Sequence, residues 1–152
     1  MNQNKILPYN SIERKLNMSM SASIITQKTG RLIFKEGDKG DSMYIILEGT
    51  VDIYVMADGQ EMQLATLHPG DFFGEMSLFR DKPRSASARV IKDVRLAVIQ
   101  SRQQLERFLV DNPLFAAKMV TIMAGRLSKT NELLIQKVNE LAAIKLEYQT
   151  SH

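Results

Sequence analysis

Residues 73–86 of the chain read FGEMSLFRDKPRSA and place a glycine turn, an acidic residue, a short helical run and an arginine within one compact loop. Free backbone N–H groups at a helix start attract an anion, and Gly74 lets the backbone approach it closely. Arg84 adds a planar fork of donors that matches phosphate oxygens. Glu75 would repel an anion, but its carboxylate suits a neighbouring hydroxyl group. The segment therefore predicts a site for a small anion that carries a hydroxyl beside its charge.

The order of this segment, Gly-Glu, a few apolar residues and then Pro-Arg-Ser-Ala, resembles the phosphate-binding cassette of the cyclic nucleotide-binding domain family. Residues 34–49, FKEGDKGDSMYIILEG, are similar to the first glycine-rich hairpin region of that family, and residues 68–75, HPGDFFGE, resemble its turn into the cassette. Several separated motifs in the right order make the match specific, whereas a lone Gly-Glu or Pro-Arg pair would be weak. The resemblance covers about residues 30–132, and within the family it points to the sensor half of bacterial catabolite activator-type regulators.

The resemblance implies a role for each polar residue of the cassette, and a simpler explanation stands beside each role. Arg84 would bind the phosphate, or pair with a surface carboxylate. Glu75 would accept from a ribose hydroxyl, or only favour the helix dipole. Ser85 would place its hydroxyl beside the phosphate, or merely begin a strand. The predicted contacts in the cassette are Phe73, Gly74, Glu75, Met76, Ser77, Arg84, Ser85 and Ala86.

Two residues of the C-terminal segment complete the predicted site. In activator-type relatives, polar residues at this point of a long helix touch the base, one from each subunit, and the resemblance assigns that role to Thr130 and Asn131. Alternatively, Thr130 lies on a solvated helix face and Asn131 is a buried amide that sets the register of a dimer. We expect cAMP rather than cGMP as the ligand, although the hydroxyl of Ser85 is compatible with both.

Composition restricts the other classes of function. The chain has 152 residues, of which 44% are hydrophobic, with no cysteine and a net charge of +3 that is dispersed. This composition predicts one soluble cytoplasmic domain without disulfides, a membrane span or a concentrated nucleic-acid-binding face. His68 and His152 are the only histidines, so no metal site or cofactor is expected. No serine lies in a nucleophile-elbow setting, so we expect no enzyme.

Periodicity predicts the fold, a mainly β domain with added helices. Apolar residues alternate at Val51, Ile53 and Val55, as in a half-buried strand whose other face carries Asp52, Tyr54 and Met56. Asp58-Gly59 predicts a hairpin turn before a second strand through Met62, Leu64 and Thr66, and residues 68–71, HPGD, predict a type II turn. Short strands with frequent turns indicate an antiparallel β-roll, resembling a jelly roll, with flanking helices.

After residue 100 the period becomes helical. Ser101 and Gln104 form a capping-box pattern for a helix to about Val110, and Asn112-Pro113 begins a long second helix. We predict three parts: a leader over residues 1–28, which could be helical because Ile12, Leu16 and Met20 are spaced by four; a roll over residues 29–112; and a helix over residues 113–152. Alternating four-three spacing predicts that the last helix is a dimer seam, formed by Val120, Ala124, Leu127, Asn131, Leu134, Val138, Leu141, Lys145 and Tyr148.

Together these features predict a cyclic nucleotide sensor that changes helix and dimer geometry when ligand binds. Activator-type relatives continue into a helix-turn-helix domain, whereas this sequence ends at His152, so we expect no direct DNA binding and an unknown downstream protein partner. A second interpretation stays open, in which the domain is a constitutive dimerisation or docking module with an empty or altered pocket.

Overall fold

The computed structural model describes residues 23–151, so the predicted helix on Ile12, Leu16 and Met20 lies outside the described residues. Over the described range, five strands precede one short helix, and a sixth strand and two further helices follow it. In chain order they are β1 (Ser23–Gln27), β2 (Leu32–Phe34), β3 (Met43–Ala57), β4 (Gln60–Leu67), β5 (Phe72–Phe73), α1 (Glu75–Arg80), β6 (Ser87–Ile99), α2 (Arg102–Asp111) and α3 (Pro113–Thr150).

The strands form one antiparallel sheet in which β1, β6, β3 and β4 are neighbours in that order. Strand β2 also pairs with β6, and β5 pairs with β3, so the two longest strands carry most of the pairing. The predicted antiparallel roll with flanking helices and a long C-terminal helix is confirmed.

Strands β3 and β6 are 15 and 13 residues long, which is longer than the short strands predicted. Their mutual register shifts around Glu48 and Thr50, on either side of Gly49. A bulge bends a strand and increases its twist. A long strand can therefore curve around the roll without a turn signal that would divide it in the sequence.

Both predicted turns are confirmed. Asp58 and Gly59 have φ values of 51° and 74° and join β3 to β4 as a two-residue hairpin with both residues in the left-handed region. In the second turn, Gly70 has a φ of 91°, and the Asp71 N–H donates to the His68 carbonyl over 2.9 Å. This second turn delivers the chain into β5 and then into residues 74–86.

The roll has a contiguous apolar core, but the alternation predicted for β3 holds only in part. Val51 is fully buried, whereas Ile53 and Val55 are half-buried. Tyr54, expected on the opposite face, is only 8% exposed, and it lies outside the core cluster with Arg89 Cζ 4.5 Å from its ring centre. The buried cluster consists of Ile46, Val51, Leu67, Phe73, Ala88, Val90, Val94 and Leu96.

The sheet begins earlier than the predicted boundary at residue 29. Strand β1 pairs with β6 along its length, from Ser23 opposite Val98 to Gln27 opposite Val94. These residues therefore belong to the sheet and are not part of a helical leader. The pairing is long-range, so no pattern within the first 28 residues could reveal it.

The two C-terminal helices begin where their capping residues predict. The Gln104 N–H donates to Ser101 Oγ over 3.1 Å, and Gln104 Oε1 accepts from the Gln100 N–H rather than from that of Ser101. Helix α3 begins at Pro113, and the Asn112 carbonyl accepts from the Ala116 N–H. It continues without a break to Thr150.

The chain divides between Asp111 and Asn112 into two compact units. Apart from the placement of residues 23–27, the predicted three-part division stays a prediction. Over residues 23–151, no single helix is long and apolar enough to cross a membrane. Helices α2 and α3 reach a sufficient length and apolar composition only when the two are counted together.

Candidate functional site

Arg84 is the centre of the candidate site, and its backbone is fixed by the glycine-rich segment before β3. The Arg84 N–H donates to the Asp38 carbonyl, and the Gly37 N–H donates to the Arg84 carbonyl, each over 2.8 Å. Nearby, the Glu36 N–H donates to Ser87 Oγ over 2.9 Å. The backbone of Arg84 is therefore held independently of the contacts that its side chain makes.

The Arg84 side chain points into the protein and is only 6% exposed. Its Nη1 donates to the Gly74 carbonyl over 3.0 Å, and its Nη2 donates to the Ser42 carbonyl over 2.8 Å. Its Nε is buried and has no hydrogen-bond partner among the described residues. Two carbonyl groups thus orient the guanidinium while part of its donor capacity stays unused.

Aromatic rings lie close to the guanidinium of Arg84. Its Cζ lies 4.1 Å from the ring centre of Phe34 and 5.9 Å from that of Tyr44. The Tyr44 and Phe73 rings stack at 5.2 Å with an interplanar angle of 19°, and Phe34 lies 5.9 Å from Phe73. Strands β2, β3 and β5 each contribute one ring, so the sheet register builds this support.

Two glycines approach the guanidinium closely. A Cβ atom built on Gly40 would overlap Arg84 Nε and Cζ and would lie 2.7 Å from Nη2. A Cβ on Gly74 would lie 2.8 Å from Nη1. Distances this short are not found for real Cβ atoms, so the guanidinium occupies space that only the absence of these side chains leaves open.

The guanidinium is a buried cation that no carboxylate of the described residues pairs directly. Burial lowers the pKa of Arg84, while the electrostatic effects of Tyr44, Asp41, Asp38 and Glu75 oppose that shift. Within residues 23–151, no carboxylate lies within ion-pair distance of this group. An arginine stays protonated even so. Burial likewise raises the pKa of Tyr44.

The structure brings the two ends of the predicted cassette together through the Arg84–Gly74 hydrogen bond. Glu75 is the half-buried first residue of α1, as the predicted short helical run requires. Ser85 is exposed and directly follows Arg84, whereas Ala86 is buried.

The other predicted cassette contacts differ in exposure. Met76 is 45% exposed, and Phe73 is buried in the core with its ring stacked on Tyr44. Ser77 is buried, and its hydroxyl donates to the Lys82 carbonyl over 3.1 Å, which closes the loop after α1. The Ser77 hydroxyl thus has an internal partner.

Thr130 and Asn131 lie on α3, in the second compact unit. Both are exposed, and the Thr130 hydroxyl donates to the Arg126 carbonyl of its own helix over 2.9 Å. Their predicted role in contacting a base stays a prediction.

The sequence identified Arg84 and Gly74, but not the earlier residues that hold the guanidinium. Phe34, Gly40, Ser42 and Tyr44 all lie in the glycine-rich stretch quoted for the family resemblance. Gly40 has no positive φ to mark it, and the Ser42 contact uses a backbone carbonyl. The only signal that could have pointed to them is the proximity of that stretch to the cassette in the family pattern. Among residues 23–151, no group of three or more His, Asp or Glu side chains could hold a metal ion.

Comparison with known proteins identifies the same region. The family model described as cyclic nucleotide-binding domain matches residues 24–112. The CRP-like cAMP-activated global transcriptional regulator of Mycobacterium tuberculosis is 41% identical over 103 residues, which are 67% of this chain and 46% of that protein. The cAMP-dependent protein kinase regulatory subunit of Emericella nidulans is 38% identical over 80 residues, which are 53% of this chain and 19% of that protein.

A solved structure agrees with these sequence matches. The catabolite activator protein of Thermus thermophilus superposes with a TM-score of 0.68 at 30% identity, covering 86% of this chain and 60% of that one. The chain spans about half the length of the bacterial relative it matches, which is a transcriptional regulator, whereas the fungal relative is a kinase regulatory subunit. The family match covers more than half of the chain and includes Arg84 with every residue found to hold it, and the chain therefore belongs to the cyclic nucleotide-binding domain family.

Proposed function

We propose that this domain is a cAMP sensor in which the guanidinium of Arg84 binds the cyclic phosphate. The observation that carries the proposal is the environment of that guanidinium: it is buried and has no carboxylate partner, and its Nε has no acceptor among residues 23–151. Removing a cation from water is costly unless other groups replace its hydration. A phosphate supplies both the opposite charge and the missing acceptors.

Glu75 and Ser85 are the proposed neighbours of the phosphate contact. Glu75 begins α1 directly after Gly74, whose carbonyl is bonded to Arg84, so a ligand on Arg84 would lie near it. Its carboxylate accepts from a ribose hydroxyl, while the exposed Ser85 hydroxyl is available to a phosphate oxygen. The preference for cAMP is supported by the names of the relatives, one of which is described as cAMP-activated.

Calorimetric titration against cAMP, cGMP and 5′-AMP tests the binding proposal. We expect cAMP to bind more tightly than cGMP, and 5′-AMP to bind weakly because its open phosphate carries a different shape and charge. The matched control is Arg84→Ala, which removes the guanidinium but keeps the backbone groups of residue 84 that bond to Gly37 and Asp38. Absence of binding heat and of any thermal shift with millimolar cAMP would contradict the proposal and favour a docking module with an empty pocket.

The output is proposed to pass through α3 and a homodimer. Leu127, Leu134, Val138 and Leu141 of α3 are between 55% and 66% exposed, although they follow heptad spacing. A second copy of α3 would cover this seam, and Thr130 with Asn131 would contact the base. Ligand would change dimer geometry only to the extent that it binds the two states with different affinity.

Two lysines in the seam test the dimer. Changing Leu134 and Leu141 together to Lys places like charges one heptad apart, so light scattering should report a monomer. If the base contacts cross the dimer, this monomer should also bind cAMP more weakly than the parent. A monomer with full affinity would contradict those cross-dimer contacts, and a parent that is monomeric with and without cAMP would contradict the dimer.

The proposed role is regulatory and not enzymatic. The relatives named above are a transcriptional regulator and a kinase regulatory subunit, which supports a ligand that is bound and released unchanged. After prolonged incubation with the protein, we expect chromatography to recover all the cAMP. The downstream partner is then a separate protein or domain that reads the state of α3.

A further inference from the structure

Gly40, which faces the Arg84 guanidinium, differs from Gly49, another glycine of the roll with close neighbours. A Cβ on Gly40 would meet the Nε, Cζ and Nη2 atoms of Arg84, all at the far end of one flexible side chain. By contrast, a Cβ on Gly49 would overlap the backbone carbonyl of Asp93 and lie 2.7 Å from that of Lys92. The space at Gly49 is needed by the backbone of the sheet, whereas the space at Gly40 is needed by one side chain.

The loop that carries Gly40 is tied to Arg84 on both sides. The Asp38 carbonyl accepts from the Arg84 N–H over 2.8 Å, and the Ser42 carbonyl accepts from Arg84 Nη2 over 2.8 Å. Gly40 lies midway between these anchors. A shift of this loop would strain its backbone hydrogen bond to Arg84 as well as the Ser42 contact, whereas the atoms nearest a side chain at residue 40 are the far end of the flexible Arg84 side chain, so we expect the guanidinium to move.

The opposite side of the guanidinium offers little room for such a shift. Its Cζ lies 4.1 Å from the Phe34 ring centre, and Nη1 is bonded to the Gly74 carbonyl. Displacement by a methyl group at residue 40 would therefore push the guanidinium off this ring or off the carbonyl groups. Either movement changes the direction in which its donors point.

We propose that Gly40 is a positioning residue for the binding site, whose missing side chain fixes the place and direction of the Arg84 guanidinium. Any side chain at residue 40 displaces that group while leaving the charge, the cassette sequence and the sheet intact. The inference rests on the proposed function for the identity of the anion, but not for the contact between Gly40 and Arg84. It predicts that Gly40 affects binding through Arg84 alone.

The test compares Gly40→Ala with two glycine controls and with Arg84→Ala. Gly125→Ala adds a methyl group where nothing among the described residues lies within 4 Å, and Gly49→Ala adds one against backbone carbonyls. We expect Gly40→Ala to melt within about 5 °C of the parent and to lose at least about tenfold in cAMP affinity by calorimetry. Gly125→Ala should keep the parent affinity, and Gly49→Ala should lose the fold.

A double variant separates positioning from a general structural role. In the Arg84→Ala background, adding Gly40→Ala should change neither the melting temperature nor the residual affinity, because the colliding group is gone. Parent-like affinity in Gly40→Ala would overturn the inference. So would a further loss of affinity in the double variant, or a failure of the double variant to fold.

A ligand-free measurement distinguishes failure of this inference from failure of the proposed function. The Arg84 Nε–H resonance, identified in the NMR spectrum by its loss in Arg84→Ala, should shift in Gly40→Ala and stay in place in Gly125→Ala. If the parent binds no cAMP but the resonance shifts as expected, the positioning contact stands and the proposed ligand is wrong. If the parent binds cAMP but the resonance of Gly40→Ala does not move, the positioning contact is wrong.

Discussion

Two arginines five residues apart, Arg84 and Arg89, both lie over an aromatic ring, yet their electrostatic partners differ. Arg89 in β6 donates through both terminal nitrogens to Glu61 of β4, over 2.9 and 2.7 Å, and its Cζ lies 4.5 Å from the Tyr54 ring centre. Arg84 lies 4.1 Å from the Phe34 ring centre, but within residues 23–151 its side chain donates only to backbone carbonyls. One cation is neutralised by a bidentate carboxylate, and the other has no such partner in the part of the chain that the structure describes.

The difference shows how a structural arginine can be told from a binding arginine. The Arg89–Glu61 pair is partly exposed, and such a pair contributes little to stability because water screens it. The Arg89 guanidinium also needs no further anionic partner, since its donors already meet the Glu61 carboxylate. Arg84 is buried with donor capacity to spare, which is an arrangement that an anionic ligand would complete.

The largest expected effect is on ligand affinity when each arginine is truncated. Arg84→Ala removes the buried partner of the phosphate and should cost roughly 2–5 kcal/mol of binding free energy, or about 30- to several-thousand-fold in Kd. Arg89→Ala should change Kd by less than about threefold, because Glu61 already neutralises it. Calorimetry with cAMP measures both. Equal losses in the two variants would remove the distinction between the arginines.

The next largest expected difference is between the effects on cAMP affinity of the carboxylates near the two arginines. Glu75→Gln should weaken cAMP binding by about tenfold and narrow the discrimination against 2′-deoxy cAMP, because the lost carboxylate reads that hydroxyl group. Glu61→Gln is the matched control and should leave both affinities unchanged. The measurement is the ratio of Kd values for the two ligands. An unchanged ratio in Glu75→Gln would exclude Glu75 from the site.

A smaller effect is expected from the aromatic rings. Phe34→Leu keeps an apolar side chain under Arg84 but removes the ring face, and cation–π contacts of this kind contribute about 0.5–2 kcal/mol. We expect cAMP affinity to fall by roughly two- to thirtyfold. Tyr54→Leu removes the ring under Arg89 and should not affect affinity. A loss in Tyr54→Leu equal to that in Phe34→Leu would indicate a general effect of core packing.

The smallest effect concerns the pH dependence of the structural pair. The hydrogen bond from Arg89 lowers the pKa of Glu61, so Arg89→Ala should return that pKa towards its ordinary value of 4.5. Because the folded-state pKa is lowered, the stabilising effect is present above the unfolded-state value and is lost as pH falls through the folded-state value. NMR titration measures the pKa. If the pKa of Glu61 is the same in Arg89→Ala as in the parent, the pair does not persist in solution.

The local features of the fold could be predicted because their signals lie within a few residues. The hairpin at Asp58 and Gly59 requires positive φ at two adjacent residues, and the start of α3 follows from Asn112 and Pro113. The long strand β3 could not be predicted in the same way. Its bend depends on bulges opposite β6, which involve residues more than forty positions apart.

The candidate site likewise has some features that the sequence predicts and others that only the tertiary structure shows. The sequence by itself determined that Gly74, Glu75 and Arg84 share one loop, because they lie in a contiguous motif. Only the tertiary structure decided what surrounds the guanidinium: the Ser42 carbonyl, the Phe34 ring and the open space at Gly40 come from residues more than forty positions earlier in the chain. The physical reason is that the register of β2, β3, β5 and β6 brings them to Arg84, and register is set by the burial of a whole sheet face and not by the residues next to the site.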